Sequence, residues 1–370
     1  MELVVFGLTV SSSWGNGHAT LWRGLAAALA RAGHRLHFFE RDLPFYRPWR
    51  DLDRLPAGRL VLYRDWAEAL PLAREALARC DAALVTSYCP DALPATALVL
   101  SEEVPVRAFY DMDSPVTLSR ARAGEEVAYV GPAGLGGFDL VLSYAGGPAL
   151  AALEETFGAR RAVPLYGSVD PGVHRPAAPL DRFRADLSYL GTWAADRQAA
   201  LEALLLEPAR RRPARTFAIA GAQYPADFPW RENVLFVHHL PPAEHPAFYC
   251  SSSLTLNVTR GPMAAMGFCP SGRLFEAAAC GVAALSDRWE GLEGFFEPGR
   301  EILVARTAEE ATAAVDRPAP ALRALGDAAR RRVMAHHTAD HRAAELVAYL
   351  EEARRPARRR AGAEPAPAGA

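Results

Sequence analysis

Apolar runs of strand length alternate with longer amphipathic stretches along nearly the whole chain, and this rhythm constrains the fold more than any other feature. Leu3–Gly7 precedes a helix-period stretch near Ala19–Ala32, and further runs follow at Leu36–Glu40, Arg59–Tyr63, Ala82–Ser87, Val106–Tyr110, Leu140–Tyr144 and Ala162–Leu165. A β–α–β rhythm of this kind predicts a parallel sheet with helices on both faces. The segment Asp170–Pro176 interrupts it. A second series then begins, with strands expected at Leu187–Leu190, Phe217–Ala220, Val234–Val237, Leu254–Val258, Val282–Leu285 and Ile302–Val304. The reading is α/β with two domains, 1–172 and 183–353, a Pro-rich hinge near 171–182, and closing helices over about 320–352. A pair of facing doubly wound sheets leaves a cleft where the carboxyl ends of the strands meet, and ligands of such folds bind there.

Composition enters through what it excludes. All 41 basic residues are Arg, so Schiff-base, P-loop lysine and kinase-type phosphate chemistry are ruled out. Against 43 acidic residues they leave a formal charge of -2, with no pull toward nucleic acid or an anionic membrane. The first residues read as a buried strand rather than a signal or spanning segment. Cys80, Cys89, Cys250, Cys269 and Cys280 are odd in number, scattered, and free of any C-x-x-C pattern, which points to a reducing cytoplasm and no structural zinc. The stretch 354–370 mixes Arg with Ala, Pro and Gly and is expected to be a disordered tail.

Three places carry chemistry. After the first strand, Ser11-Ser12-Ser13-Trp14-Gly15-Asn16-Gly17-His18 leads into a helix. Gly15 and Gly17 let backbone approach a ligand, and His18 is placed to act as a general base or to cap the helix and pack on Trp22. The glycine spacing is not that of a dinucleotide fingerprint, although Glu40 stands roughly where one would place its acidic residue. The second place is Asp111-Met112-Asp113 at the end of a strand. Two carboxylates two apart suggest cleft-lining groups, with a metal pair as the competing reading. The third is strand, loop and helix at Leu254–Arg260 and Pro270–Gly281. Ser271 and Gly272 open a helix whose positive end welcomes a diphosphate, and Gly281 closes it. Arg260 and Arg273 flank that start with forked donors. Glu276, one turn in, is placed to accept from ribose hydroxyls, or else to pair with a neighbouring Arg. His238-His239, after the Val234 run, tempts a metal reading without a third ligand and suits a loop at the nucleotide base. The cluster His336-His337 with His341 reads as a solvated helical face.

Ser-Gly-Arg-Leu-Phe-Glu-Ala-Ala-Ala-Cys-Gly at 271–281, followed by 285–287, 291–293 and 298–303, resembles the nucleotide-sugar site of GT-B glycosyltransferases, nearest to the spore-maturation CgeB-like branch of the group 1-like transferases. Residues 11–20, 109–117, 138–150, 166–176 and 188–198 resemble that branch as well. The resemblance implies a metal-independent, two-domain Rossmann-like enzyme that needs no cofactor, with a nucleoside-diphosphate sugar held by the second domain and an acceptor by the first. It places Glu276 at the ribose, Arg260 and Arg273 near the diphosphate, and Gly191, Thr192 and Arg197 on the facing phosphate loop. Retaining members of the wider group carry Glu eight positions before the ribose Glu. Here that residue is Phe268, so a retaining course is not supported. For inversion the base candidates are His18, Asp111 and Asp113. A nucleotide-sugar 2-epimerase and a non-catalytic sugar-nucleotide-binding protein are the other readings. The base, sugar, acceptor and oligomeric state are left open by the sequence.

Overall fold

The computed structural model describes residues 1–354, so the expected tail lies, beyond Arg354, outside the described residues. Among the described residues thirteen strands form two sheets. The first contains β1 (Glu2–Gly7), β2 (Arg35–Arg41), β3 (Gly58–Tyr63), β4 (Ala82–Thr86), β5 (Arg107–Asp111), β6 (Leu140–Ser143) and β7 (Ala162–Pro164), in the order β3-β2-β1-β4-β5-β6-β7. The second contains β8 (Ala185–Leu190), β9 (Phe217–Gly221), β10 (Val234–His238), β11 (Ser252–Asn257), β12 (Ala283–Ser286) and β13 (Leu303–Val304), in the order β10-β9-β8-β11-β12-β13. Pairings within each sheet are parallel, as seen for β1 with β2 and β4, and for β8 with β9 and β11. Both sheets thus show the doubly wound order, with the switch point beside β1 and beside β8. Each expected strand is present: short apolar runs such as Leu3-Val4-Val5-Phe6, fully buried here, pair their backbone polar groups with neighbouring strands while both faces are covered.

Side chains alternate between the faces of the first sheet, as a strand period of two requires. Val4 and Phe6 join one core with Phe39, Val85 and Phe109, while Leu3 and Val5 join another with Trp22, Leu25 and Phe38. The second core also contains Ala339, Ala343, Leu346 and Leu350. These belong to the last helix, Ala339–Arg354, which leaves the second sheet and packs on helix His18–Arg31 of the first half. Its amphipathic period was legible, but the sheet it would cover was not, because an apolar stripe names no partner. Backbone bonds from Val169 to His337 (3.1 Å) and from Ala339 back to Val169 (2.7 Å) fix the crossing beside the interdomain linker.

His337 departs from the solvated helical face expected of it. It is 8% exposed, stacks on Phe275 with ring centroids 4.9 Å apart, and accepts from Arg342 at 2.7 Å. Burial, followed by the charge of Arg342, pushes its imidazole down to about 3, so it remains neutral. Among the described residues no helix is long and apolar enough to cross a membrane.

Candidate functional site

The carboxyl ends of the two sheets face each other across a cavity of about 610 Å³, a size within the usual range for small-molecule sites. Its lining includes Gly15, Gly17, His18 and Asp113 from the first half, and Gly191, Thr192, Arg197, His239, Arg260, Ser271, Gly272, Arg273 and Glu276 from the second. Of the residues expected to act as base or to hold the donor, only Asp111 is not on this wall.

On the first side, the loop 8–17 between β1 and helix His18–Arg31 is held from behind by Glu40. That carboxylate is fully buried and accepts from Thr9 Oγ1 (2.9 Å), the Val10 and Ser11 amides (2.7 and 2.9 Å) and Ser11 Oγ (2.5 Å). With its oxygens so engaged, Glu40 is a clamp on the loop, and a dinucleotide ribose has no place on it. Gly15 has φ +68°, a left-handed conformation that disfavours other residues. Asn16 Oδ1 accepts from the Ala19 amide at 3.1 Å, so Asn16 satisfies the helix start and frees His18 from a capping role. His18 Nε2 lies 3.4 Å from Asp113 Oδ2. A carboxylate only accepts, so Nε2 carries the proton and Nδ1 is the basic nitrogen. No residue among those described bonds to Nδ1.

Asp111 and Asp113 separate because a strand end and a helix start point their side chains differently. Asp113 faces the cavity. Asp111 is fully buried beneath it and accepts from the Asp113 amide (3.1 Å) and Thr117 Oγ1 (3.0 Å). Neither a base reaching substrate from Asp111 nor a metal pair with Asp113 fits this arrangement. Asp111 instead sets the turn that presents Asp113. Burial pushes the Asp111 carboxyl up to about 7. The native state therefore keeps a proton that the unfolded chain releases between 3.8 and about 7, and stability falls as pH rises through that window. Asp111→Asn is expected to remove this loss, on the order of 2 kcal/mol between pH 5 and pH 8. Urea midpoints of wild type and variant at the two pH values check it, and parallel changes in both proteins would refute it.

On the second side, Ser271 stands at the N-cap of helix Gly272–Ala279, with no capping bond from its hydroxyl. The Leu274 amide donates to the Ser271 carbonyl at 3.0 Å, and no bond from the Gly272 or Arg273 amide is found among the described residues. Arg273 is anchored rather than free: its Nε donates to the Leu190 carbonyl, Nη1 donates to Asn257 Oδ1 at 2.7 Å, and its guanidinium lies 4.8 Å over the Tyr189 ring. A Cβ on Gly191 would sit 2.7 Å from Arg273 Nη2, so the glycine makes room for this cation. Arg197 donates from Nη1 to the Thr192 carbonyl at 3.0 Å, while its buried Nε has no protein partner, a charged donor left for an anion. Arg260 Nε is paired with Asp196 at 3.3 Å. His239, at φ +49°, lines the cavity and meets Trp49 of the first half edge-on at 5.1 Å.

Glu276 Oε2 accepts from Tyr249 Oη at 3.0 Å and lies 3.9 Å from His174 Nε2. Burial opposes its charge, but His174, His245, Tyr249 and Arg273 outweigh it and hold the carboxyl below its ordinary range. The competing expectation, a salt bridge to an Arg, is not what is found. His174, His245, Tyr249, Asn257 and Tyr189 escaped the sequence reading because no spacing joins 174, 245 and 276; the topology alone brings them together.

Phe268 is no cavity group. Its ring fills the space where Cβ atoms on Gly147 and Gly291 would come to 2.3 and 2.4 Å, its carbonyl accepts from the Gly146 amide (3.0 Å), and its own amide donates to Glu290 (2.7 Å). The side chain at 268 thus wedges the two halves together.

Residues 197–348 match the family model described as glycosyl transferase-like. No curated protein sequence matches the chain. Among solved structures, sucrose-phosphate synthase from Thermosynechococcus elongatus is 15% identical with a TM-score of 0.67, over 95% of this chain and 99% of that one. Anabaena HepE, solved with UDP and glucose, is 11% identical with a TM-score of 0.65, over 95% of this chain and 100% of that one. An alpha-glucosyltransferase solved with UDP and a DNA 13-mer is 11% identical with a TM-score of 0.66, over 95% of this chain and 99% of that one. The family match covers residues 197–348, and the fold along nearly the whole chain is the two-sheet GT-B architecture of these structures.

Proposed function

We propose that the protein moves a sugar from a nucleoside diphosphate to an acceptor hydroxyl or amine, with the donor on the second half and the acceptor on the first. The observation that carries this reading is one cavity walled by a His–Asp pair on one side and by anchored arginines, a helix start and a partly buried carboxylate on the other. In this reading the diphosphate lies over the first amides of helix Gly272–Ala279, between Arg273 and Arg197, and Glu276 accepts from the ribose. His18 removes the acceptor proton while Asp113, beside it, stabilises the imidazolium. The leaving diphosphate needs no acid, because fixed cations and amides take up its charge. No metal or cofactor is required for these steps. A base on the face opposite the leaving group, with Phe268 where the wider group's retaining members have Glu, favours inversion. We place the chain with the CgeB-like branch on the motifs at 11–20, 109–117 and 271–281, and in a reducing compartment on its five unpaired cysteines.

Thermal unfolding with UDP, GDP, dTDP, ADP and CDP tests the donor half. A nucleotide at about 100 times its Kd adds about 2.7 kcal/mol. We expect selective stabilisation by one base class and its loss in Glu276→Ala. No shift from any of the five, with folded protein, would refute the donor site. Acceptor-dependent release of nucleotide, in a panel that includes DNA because of the DNA-bound neighbour, then separates transfer from epimerisation.

A further inference from the structure

The five cysteines form no disulfide among the described residues, but two of them meet. Cys250 ends the short helix His245–Cys250, and Cys280 follows the last turn of helix Gly272–Ala279. Cys250 Sγ lies 3.6 Å from the Cys280 carbonyl oxygen, accepts from the Ala177 amide at 3.3 Å, and shares a hydrogen bond with the Cys280 thiol. The pair is reachable from outside. Cys250 is half-buried, and both residues line a cavity of about 280 Å³ with Gly281 and Arg323, which shares no lining residue with the interdomain cleft. The hydrogen bond from Cys280, with burial opposing it, brings the Cys250 thiol down to about 7. The same bond, with burial, pushes Cys280 well above the usual thiol range. Cys250 is therefore the partner that gives up its proton and becomes the nucleophile. Cys80, Cys89 and Cys269 are buried, and burial pushes each of these thiols up.

We propose that Cys250 and Cys280 form a redox switch behind the donor wall, closed by a hydroperoxide. The Cys250 thiolate attacks the peroxide and breaks its O–O bond, keeping one oxygen as a sulfenic acid while the other leaves as water or an alcohol. The Cys280 sulfur then displaces the hydroxyl, which departs with the Cys280 proton as water and leaves an S–S bond. Two electrons and two protons thus pass from the thiol pair to one peroxide, and a reducing dithiol reverses the change. Closure reaches the site through sequence neighbours. Tyr249, beside Cys250, donates to Glu276 Oε2 at 3.0 Å, and the Cys280 amide donates to the Glu276 carbonyl at 3.1 Å. A disulfide is shorter than the hydrogen-bonded contact it replaces, so its closure shifts the two helix ends that set the Tyr249–Glu276 bond. The chemical step stands by itself, while its effect on nucleotide binding rests on the donor reading above.

The test treats the reduced full-length protein with stoichiometric hydrogen peroxide at neutral pH, in wild type, Cys250→Ser and Cys280→Ala. Titratable thiols of the denatured wild type are expected to fall from five to three, with a Cys250–Cys280 cross-linked peptide that dithiothreitol removes. Cys250→Ser should keep its thiols, and Cys280→Ala should stop at a sulfenic acid on Cys250 that dimedone traps. Oxidation of Cys80, Cys89 or Cys269 ahead of Cys250, a sulfinic acid on Cys250 with no cross-link, or a link between two chains would overturn the proposal and leave the donor reading untouched. The second measurement titrates UDP, GDP and ADP into reduced and oxidised wild type. Closure is expected to weaken the nucleotide that binds best by at least about threefold, with recovery on reduction. A cross-link with unchanged affinity overturns the switch and keeps the donor site. A cross-link in a protein whose reduced form binds none of the three overturns the donor reading, and the switch with it.

Discussion

His18→Ala is expected to lower donor turnover by about 10²–10⁴, the usual contribution of a positioned general base, while nucleotide affinity stays within about threefold of wild type. The separation follows from the geometry. His18 stands on the first half beside Asp113, whereas the proposed donor contacts come from the second half, so removing the imidazole takes nothing from the diphosphate or ribose. Asp113→Asn should fall in the same direction with a smaller loss, because it leaves the imidazole in place but removes the carboxylate that accepts from Nε2 at 3.4 Å and balances the charge formed on proton transfer. The readout is release of nucleoside diphosphate from the sugar donor selected by the thermal panel, with water as acceptor until a better one is found, alongside calorimetric titration of the nucleotide alone. Retention of more than about a tenth of the turnover in His18→Ala would remove it as base. Equal losses in turnover and in nucleotide affinity would show that it shapes the cleft instead.

The architecture was legible because parallel strands buried on both faces must be written as short apolar runs, and the strands at Leu3, Ala82, Phe217 and Leu254 have few polar positions to obscure them. Segment order then supplied two sheets, since the Pro-rich stretch after Asp170 interrupts an otherwise regular rhythm. The sequence could not show which sheet receives the last helix. Ala339, Ala343, Leu346 and Leu350 specify a buried stripe, but only the chain's return beside Val169 brings that stripe to Trp22 and Leu25.

The candidate site was legible where its residues sit in continuous segments. The run 271–281 and the loop 11–18 announced a helix start, a glycine turn and a histidine, and the structure places all of them on one cavity. Spacing misled at Asp111 and Asp113. Two carboxylates two apart look like a pair on paper, yet the strand ends between them, so one is buried under the turn and the other lines the cleft. Glu40 shows a similar limit: its position after the second strand fits a ribose ligand, but the hydroxyls of Thr9 and Ser11 and two loop amides take its oxygens first. Residues that the fold brings beside Glu276, such as His174 and Tyr249, leave no local signature in the sequence.

Arg273 combines an anchored position with a charge aimed at the proposed diphosphate, and its replacement carries the second large expectation. Two of its donors are used on Leu190 and Asn257, and Tyr189 supports the plane of the guanidinium, leaving the Nη2 edge beside Gly191. A cation held in this way is preorganised, so it gains more on the charge that develops as the sugar–phosphate bond breaks than a mobile cation would. Arg273→Lys keeps the charge but loses the fork and the stacking, and is therefore expected to behave nearly as badly as Arg273→Leu. Both should reduce turnover by about 10²–10³ and weaken nucleoside diphosphate binding by about 100-fold, while binding of the matching nucleoside, which lacks the phosphates, changes little. That contrast decides the matter. If nucleoside and nucleoside diphosphate weaken together, Arg273 serves to tie helix Gly272–Ala279 to β8 and β11, and the diphosphate must lie elsewhere, with Arg197 and its unpartnered Nε as the next group to replace.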